Sequence, residues 1–312
     1  MGEGKMLKRT ITAIVLLLVL VPLIAIDHPI AEYGFLVVGI ALSIIGGFEM
    51  MNAFYQKTPS LKYARFIVPF FCGVQVFMIY LQTTSALDLA FPENNDFIYH
   101  FLTVVAFMAS CMVCIASTLF VKGTTAEDMC ASVMTLLYCG LFMGYTVSIR
   151  YFEPVSGGIH VAAGRSFAYV YLVTCVTDAS AFLVGTKFGK HKLCPGISPK
   201  KSVEGAVGGL VFGAILGTCG AFLFQMIDLD AFTLTSSKIL VVVITFVVSL
   251  ILSVATQMGD LIASKIKRTF EIKDFGNIFP GHGGVLDRFD STIFAGCCFY
   301  LISQLIQLLV IA

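Results

Sequence analysis

Residues 239–258 read ILVVVITFVVSLILSVATQM, twenty consecutive positions without one charged side chain. A helix needs about 20 predominantly apolar residues to cross the hydrocarbon of a bilayer. A buried helix of a soluble protein carries an apolar stripe rather than an apolar circumference. This run is therefore a membrane span, and it sets the standard for reading the rest of the chain. Outward from it, comparable runs lie at roughly 10–26, 34–54, 64–82, 97–121, 130–149, 164–186, 204–227 and 291–311, which makes nine. Composition agrees: of 312 residues, 58% are hydrophobic and 12% charged, with a mean hydropathy of +0.92. A soluble domain carries about twice that share of charge, so neither intrinsic disorder nor a water-soluble core fits. The expected fold is all-α: a polytopic integral membrane protein of about nine transmembrane helices, a single membrane domain over 1–312. Its N-terminal helices occupy 1–163, and a C-terminal catalytic part occupies 164–312.

Loop charges give the direction of the spans. With the N-terminus inside, the inner segments hold Lys5, Lys8 and Arg9; Lys57, Lys62 and Arg65; Lys122; Lys187, Lys190, Lys192, Lys200 and Lys201; and Lys265, Lys267, Arg268, Lys273 and Arg288. That is 17 of the 20 basic residues, leaving Arg150, Arg165 and Lys238 outside. The asymmetry is the positive-inside pattern, with the N-terminus cytoplasmic and the C-terminus outside. The first run has the basic start of a secretory signal, but Asp27, His28 and Pro29 follow it instead of a small-residue cleavage site, so an uncleaved helix is expected. Tyr33, Tyr55, Tyr63, Tyr99 and Tyr151 lie near span ends, where tyrosine anchors an interface.

Net charge is +1, which gives no basic field for nucleic acid. Nine of the ten cysteines lie in apolar runs. Cys111 and Cys114 form a C-x-x-C with no second ligand pair nearby, so they read as small buried hydrophobes.

Two polar stretches break the hydrophobic pattern. The first, from Thr177, reads TDASAFLVGTKFGKHKLCPGISPKKSVEG, and the second, from Gly259, reads GDLIASKIKRTFEIKDFGNIFPGHGGVLDRFD. Both begin at membrane depth. If the eighth span continues as helix through Lys267, Asp260 and Ser264 share a face, with Lys267 and Arg268 one turn on. Asp287 and Asp290 share a face at the start of the last span. Carboxylates at a membrane boundary are costly without a cation. All-oxygen ligation suits Mg²⁺, which takes one or two protein carboxylates and completes its shell with water and phosphate oxygens. Salt bridges to Lys267, Arg268 and Arg288 are the simpler alternative.

Gly281-His282-Gly283-Gly284 precedes these acids. Its glycines let backbone N–H groups approach an anion, although a plain turn has the same composition and no Walker sequence is present. Asp178 lies within the sixth span, where an acid is a functional candidate by default; hydrogen bonding to Thr174 or Thr177 is the structural alternative. Ser198-Pro199-Lys200-Lys201-Ser202 offers hydroxyls and ammonium groups to phosphate. Lys187, Lys190 and Lys192 read equally well as topogenic charge, and Glu204 as a helix cap.

The run Ser264-x-Ile266-Lys267-Arg268, four residues, Lys273-Asp274-x-Gly276, two residues, Phe279-Pro280-x-His282-Gly283-Gly284-Val285-x-Asp287-Arg288-Phe289-Asp290 resembles the signature of the phosphatidate cytidylyltransferases (CDP-diacylglycerol synthases) of bacterial type, without departure over 27 positions. The 178–205 stretch is similar to a second block of that family, with Phe182 and Ser202 as small departures. The resemblance implies transfer of CMP from CTP to phosphatidic acid, with release of pyrophosphate and a requirement for Mg²⁺; a second, monovalent cation is left open. It implies a multi-pass protein of the inner (cytoplasmic) membrane, with the site facing the cytoplasm and with homodimers. On this reading Asp260, Asp287 and Asp290 hold metal. Lys267, Arg268, Arg288 and His282 act on the phosphates. Lys200, Lys201, Ser198, Ser264, Gly281, Gly283, Gly284 and Asp178 bind or order substrate. A CTP-dependent polyprenol or phytol kinase is the competing enzyme. A secondary transporter is the competing class, disfavoured because the charge gathers at one edge and in one part of the chain.

Overall fold

The computed structural model describes residues 18–26, 28–84, 95–152, 164–226, 238–279, 281 and 283–311. Among them, eight helices are long and apolar enough to cross a membrane. They are α1 (Pro29–Lys57), α2 (Ala64–Thr84), α3 (Asn95–Leu119), α4 (Ala126–Tyr151), α5 (Arg165–Phe188), α6 (Val203–Leu223), α7 (Lys238–Thr269) and α8 (Leu286–Ile311). The protein is almost wholly helical and polytopic. Of the first apolar run, 10–26, only the last part is described, and 18–25 is helical; the rest, with Lys5, Lys8 and Arg9, lies outside the described residues.

The chain divides into two units: Met1–Tyr151 with Thr269–Phe289, and Phe152–Arg268 with Asp290–Ala312. In the first unit, α1 opens on His28, whose Nδ1 accepts from the Ile30 N–H at 3.2 Å, with Pro29 in the first turn. Proline is suited to that position because its missing N–H would have no helical partner there. The helix stops at Thr58, before Pro59. Gly47 allows α1 and α2 to approach closely: a Cβ there would sit 3.0 Å from Pro69 Cα.

Helix α4 is composite. It starts at a Thr125/Asp128 capping box, widens to π-helical geometry over Leu136–Phe142, and ends in a 3₁₀ turn at Tyr151. The Ser43 hydroxyl donates to the Cys139 carbonyl inside the π segment at 2.6 Å. Arg150, fully buried, donates to the carbonyls of Leu23 and Ile26 at 3.3 and 3.0 Å. It thereby satisfies acceptors that a helix end leaves open.

In the second unit, a glycine face on α6 lets α5 and α7 approach. A Cβ on Gly213 would strike the hydroxyls of Thr177 and Ser253, and one on Gly217 would strike Val173. Small residues are what membrane helices use to pack backbone against backbone. Hydroxyls cross-link the same contact: Thr177 donates to Ser253 at 3.0 Å, and Tyr169 pairs with Ser249 at 2.6 Å.

Between α5 and α6 the chain forms a feature that the apolar pattern does not predict, an antiparallel hairpin of β1 (Lys192–Cys194) and β2 (Ser198–Ser202). Its two short strands are too polar and too brief to show alternation. Ser202 then caps α6 by accepting from the Gly205 N–H at 3.2 Å. Glu204 serves a different purpose from a simple cap. It accepts from the N–H groups of Lys190 and His191, and it pairs with His191 Nδ1 at 2.6 Å, closing the hairpin's entrance.

Candidate functional site

In the second unit, four elements bring charged side chains to one place. Helix α5 supplies Asp178, α7 supplies Asp260, Ser264 and Lys267, α8 supplies Asp290, and β2 supplies Lys201. Lys201 Nζ lies 2.6 Å from Asp260 Oδ2, with the two side chains 26% and 32% exposed. Ser264, one turn along α7, donates to Asp260 Oδ1 at 3.3 Å. The helix therefore continues past the apolar run as expected, and the i, i+4 spacing places the hydroxyl on the carboxylate.

Asp290 is buried, and its Oδ1 accepts from the Ser291 N–H at 2.8 Å. It lies within electrostatic reach of Asp260, Lys267 and Asp178. Asp178 faces Asp260 and Lys201, and it accepts a hydrogen bond from the Ser291 side chain. The hydroxyls of Thr174 and Thr177, the candidate partners in sequence, instead donate to Val170 O and Ser253. Gly259 makes the α7–α8 approach possible, since a Cβ there would strike Asp290 O and Ser291 Cα.

Three carboxylates from three helices thus repel one another, and two ammonium groups offset them. Such a set favours any further cation that can share the acids. Its donors are hard oxygens, which fits Mg²⁺, an ion that draws few ligands from protein and the remainder from water and phosphate. Among the described residues, no three His, Cys, Asp or Glu side chains are gathered closely enough to hold a metal as they stand. Lys201 occupies the cationic position beside Asp260.

The first unit contains the other half of the signature. Phe279 and Gly283 exchange two backbone hydrogen bonds of 2.9 and 3.1 Å, closing a tight loop. Gly281 and Gly283 take φ of +80° and +91°, a region that favours glycine. Asp287 Oδ2 accepts from the N–H groups of Phe275 and Gly284 at 2.7 and 3.0 Å. The N–H groups of Gly283 and Gly284 are thus donated within the loop in this conformation, to Phe279 O and to Asp287. His282 lies outside the described residues. Arg288, in the first turn of α8, is exposed.

Of the other residues singled out in sequence, Lys200 is exposed and Ser198 half-buried, both on the hairpin. Arg268 Nε donates to Ile197 O at 3.3 Å, tying the end of α7 to the hairpin turn. One acid escaped the sequence reading. Glu49, within α1, is 4% exposed, and its two oxygens accept from the N–H groups of Val285 and Leu286 at 2.9 and 3.0 Å. The signal was present, because an ionisable residue inside an apolar run is itself a functional flag.

The model of the Cytidylyltransferase family matches residues 7–306. A phosphatidate cytidylyltransferase of Staphylococcus saprophyticus is 32% identical over 288 residues, spanning 92% of this chain and 94% of its own. One from Staphylococcus haemolyticus is 31% identical over the same spans. One from Bacillus subtilis is 38% identical over 179 residues, 57% of this chain and 59% of its own.

Proposed function

The chain belongs to the cytidylyltransferase family, and from that premise we propose that it transfers CMP from CTP to phosphatidic acid, giving CDP-diacylglycerol and pyrophosphate. The observation that carries this reading is the cluster of Asp178, Asp260 and Asp290 with Lys201 and Lys267, where long apolar helices meet a polar hairpin. An amphiphile's head group and a water-soluble triphosphate need a shared charged surface at such a boundary.

In this proposal Asp260, Asp287 and Asp290 are the residues that would hold Mg²⁺ once substrate phosphates complete its shell. Bound there, the ion offsets triphosphate charge and makes the α-phosphorus more electrophilic. Lys200, Lys201 and Ser198 receive phosphate oxygens of the substrates, and Ser264 and Asp178 keep Asp260 and Lys201 in place. An ionised phosphate oxygen of phosphatidate attacks the α-phosphorus in line. The new O–P bond forms as the bond from the α-phosphorus to the β-phosphate oxygen breaks, and pyrophosphate leaves with that electron pair. Lys267, Arg268 and Arg288, with His282 and the backbone at Gly281, stabilise charge on the leaving group, while Gly283 and Gly284, whose N–H groups go to Phe279 O and Asp287, shape the loop that carries them. The nucleophile is already an anion, so positioning and electrostatics carry the step without a strong general base. The inner membrane, a cytoplasm-facing site and a homodimer belong to the same proposal, the orientation of the site supported by the basic loops.

The test is an assay of detergent-purified protein with CTP labelled in the cytidine, phosphatidate and Mg²⁺. A cytidine-bearing lipid with stoichiometric pyrophosphate is expected. CDP with a phosphorylated lipid would instead identify a CTP-dependent kinase, and no turnover of either kind would refute both.

A further inference from the structure

Glu49 takes no part in the chemistry above, yet it is held more tightly than most of the residues that do. A carboxylate buried in a membrane helix must have its lone pairs satisfied or it destabilises the fold by several kcal/mol. Here each oxygen is matched to its own backbone donor, Oε1 to Val285 N–H and Oε2 to Leu286 N–H. Val285 is the residue that caps α8 and Leu286 is its first, so neither amide has an acceptor within the helix; Gly284 directly precedes them. Asp287 takes Gly284 N–H, so the two acids divide three consecutive amides between them. A negative charge at this end also complements the helix dipole.

Shape reinforces the grip. A Cβ on Gly276 or Gly284 would collide with the Glu49 carboxylate, and one on Gly46, a turn earlier on α1, would touch Leu286 at 3.0 Å. Two glycines of the signature are thus the room that Glu49 needs. A two-pronged hold on consecutive peptides fixes both the position and the rotation of the helix that begins there. Asp287 and Arg288 follow in its first turn.

We propose that Glu49 is a positioning residue for the transfer reaction: through the Val285 and Leu286 amides it sets the aim of Asp287 and Arg288. The inference rests on the cytidylyltransferase reading above and adds to it a residue 236 positions upstream of Val285.

The test uses the full chain in detergent with Glu49→Gln, Glu49→Asp and Gly276→Ala. Glutamine keeps the shape but has one acceptor oxygen, and it turns an NH₂ toward the second amide. Loss of a charge-assisted bond predicts about tenfold faster hydrogen exchange at Val285 and Leu286. A fall of at least about tenfold in kcat is expected, with KM for phosphatidate changed less than about twofold. The Mg²⁺ concentration for half-maximal rate should rise. Glu49→Asp should recover part of the rate, and Gly276→Ala, which crowds the carboxylate from the loop side, should repeat the pattern.

Faster exchange with unchanged kcat and Mg²⁺ requirement would reduce Glu49 to a structural cap and overturn the proposal. Unchanged exchange would overturn it as well. If Glu49→Gln does not fold, Gly276→Ala decides by the same readouts. If the wild-type protein makes no cytidine-bearing lipid, the transfer reading fails and the aiming role fails with it, whereas the exchange measurement separately decides whether Glu49 holds the helix.

Discussion

Lys201→Gln should make the substrate-free protein bind a divalent cation more tightly while weakening its hold on substrate. The ammonium lies 2.6 Å from Asp260 Oδ2, and both side chains are largely shielded, at 26% and 32% exposure. At that separation and an effective dielectric of about 20, the gross attraction is about 6 kcal/mol. The cost of desolvating both ions and residual screening by water reduce the net contribution to about 1–2 kcal/mol. A dication that needs the same oxygen must displace the ammonium and forfeit that amount. Removing the ammonium therefore raises metal affinity by about 5–30-fold. Glutamine fills most of the space, so the effect is one of charge. The assay is a titration of detergent-purified, nucleotide-free protein with Mn²⁺, followed by electron paramagnetic resonance at fixed ionic strength. Steady-state kinetics should in parallel show a raised KM for the substrate whose phosphate Lys201 receives. Unchanged or weaker Mn²⁺ binding, in a variant that melts like wild type, would refute the idea that the ammonium and the metal share Asp260.

Asp260→Asn removes the charge that both cations need and should cut CMP transfer by at least about 100-fold without loss of the folded protein; a near-wild-type rate would exclude Asp260 from the metal site. Gly213→Ala drives a methyl group into Thr177 Oγ1 and Ser253 Oγ, and overpacking of this kind costs about 1–3 kcal/mol. A lower melting temperature in detergent is expected, with some catalysis surviving at low temperature. Lys122→Gln, on an exposed turn after α3, should leave rate and KM unchanged, separating local chemistry from general loss of inside-positive charge.

Much of this arrangement was legible in the sequence because the bilayer imposes a simple rule. Twenty apolar residues must be a helix, and 239–258 admitted no other reading. The helical spacing of Asp260 and Ser264 likewise translated directly into a contact. What spacing along a chain cannot give is which acid on one helix meets which acid on another. Asp287 and Asp290 lie on one helix, three residues apart, and looked equivalent. Asp290 joins the Asp260 cluster, whereas one oxygen of Asp287 is engaged by the amides of Phe275 and Gly284. Glu49 was visible as an acid in an apolar run, but its purpose was hidden for the same reason. Its partners lie 236 and 237 residues away, and the surrounding apolar run drew attention to the span instead of its exception. The hairpin was hidden by brevity, since three- and five-residue strands carry no periodicity to detect.

The widened turn over Leu136–Phe142 bears on how this chain can change length. A single-residue deletion in a regular membrane helix swings everything beyond it by about 100° around the axis, exchanging lipid-facing for packed positions. A π turn already holds one residue more than an α-helix needs over the same rise. Losing one residue there would let α4 tighten to regular pitch while Thr125 and Arg150 keep their bearings, at the cost of the Cys139 carbonyl now met by Ser43. Within α4, that short arc is the place where the molecule can be shortened without being rewound.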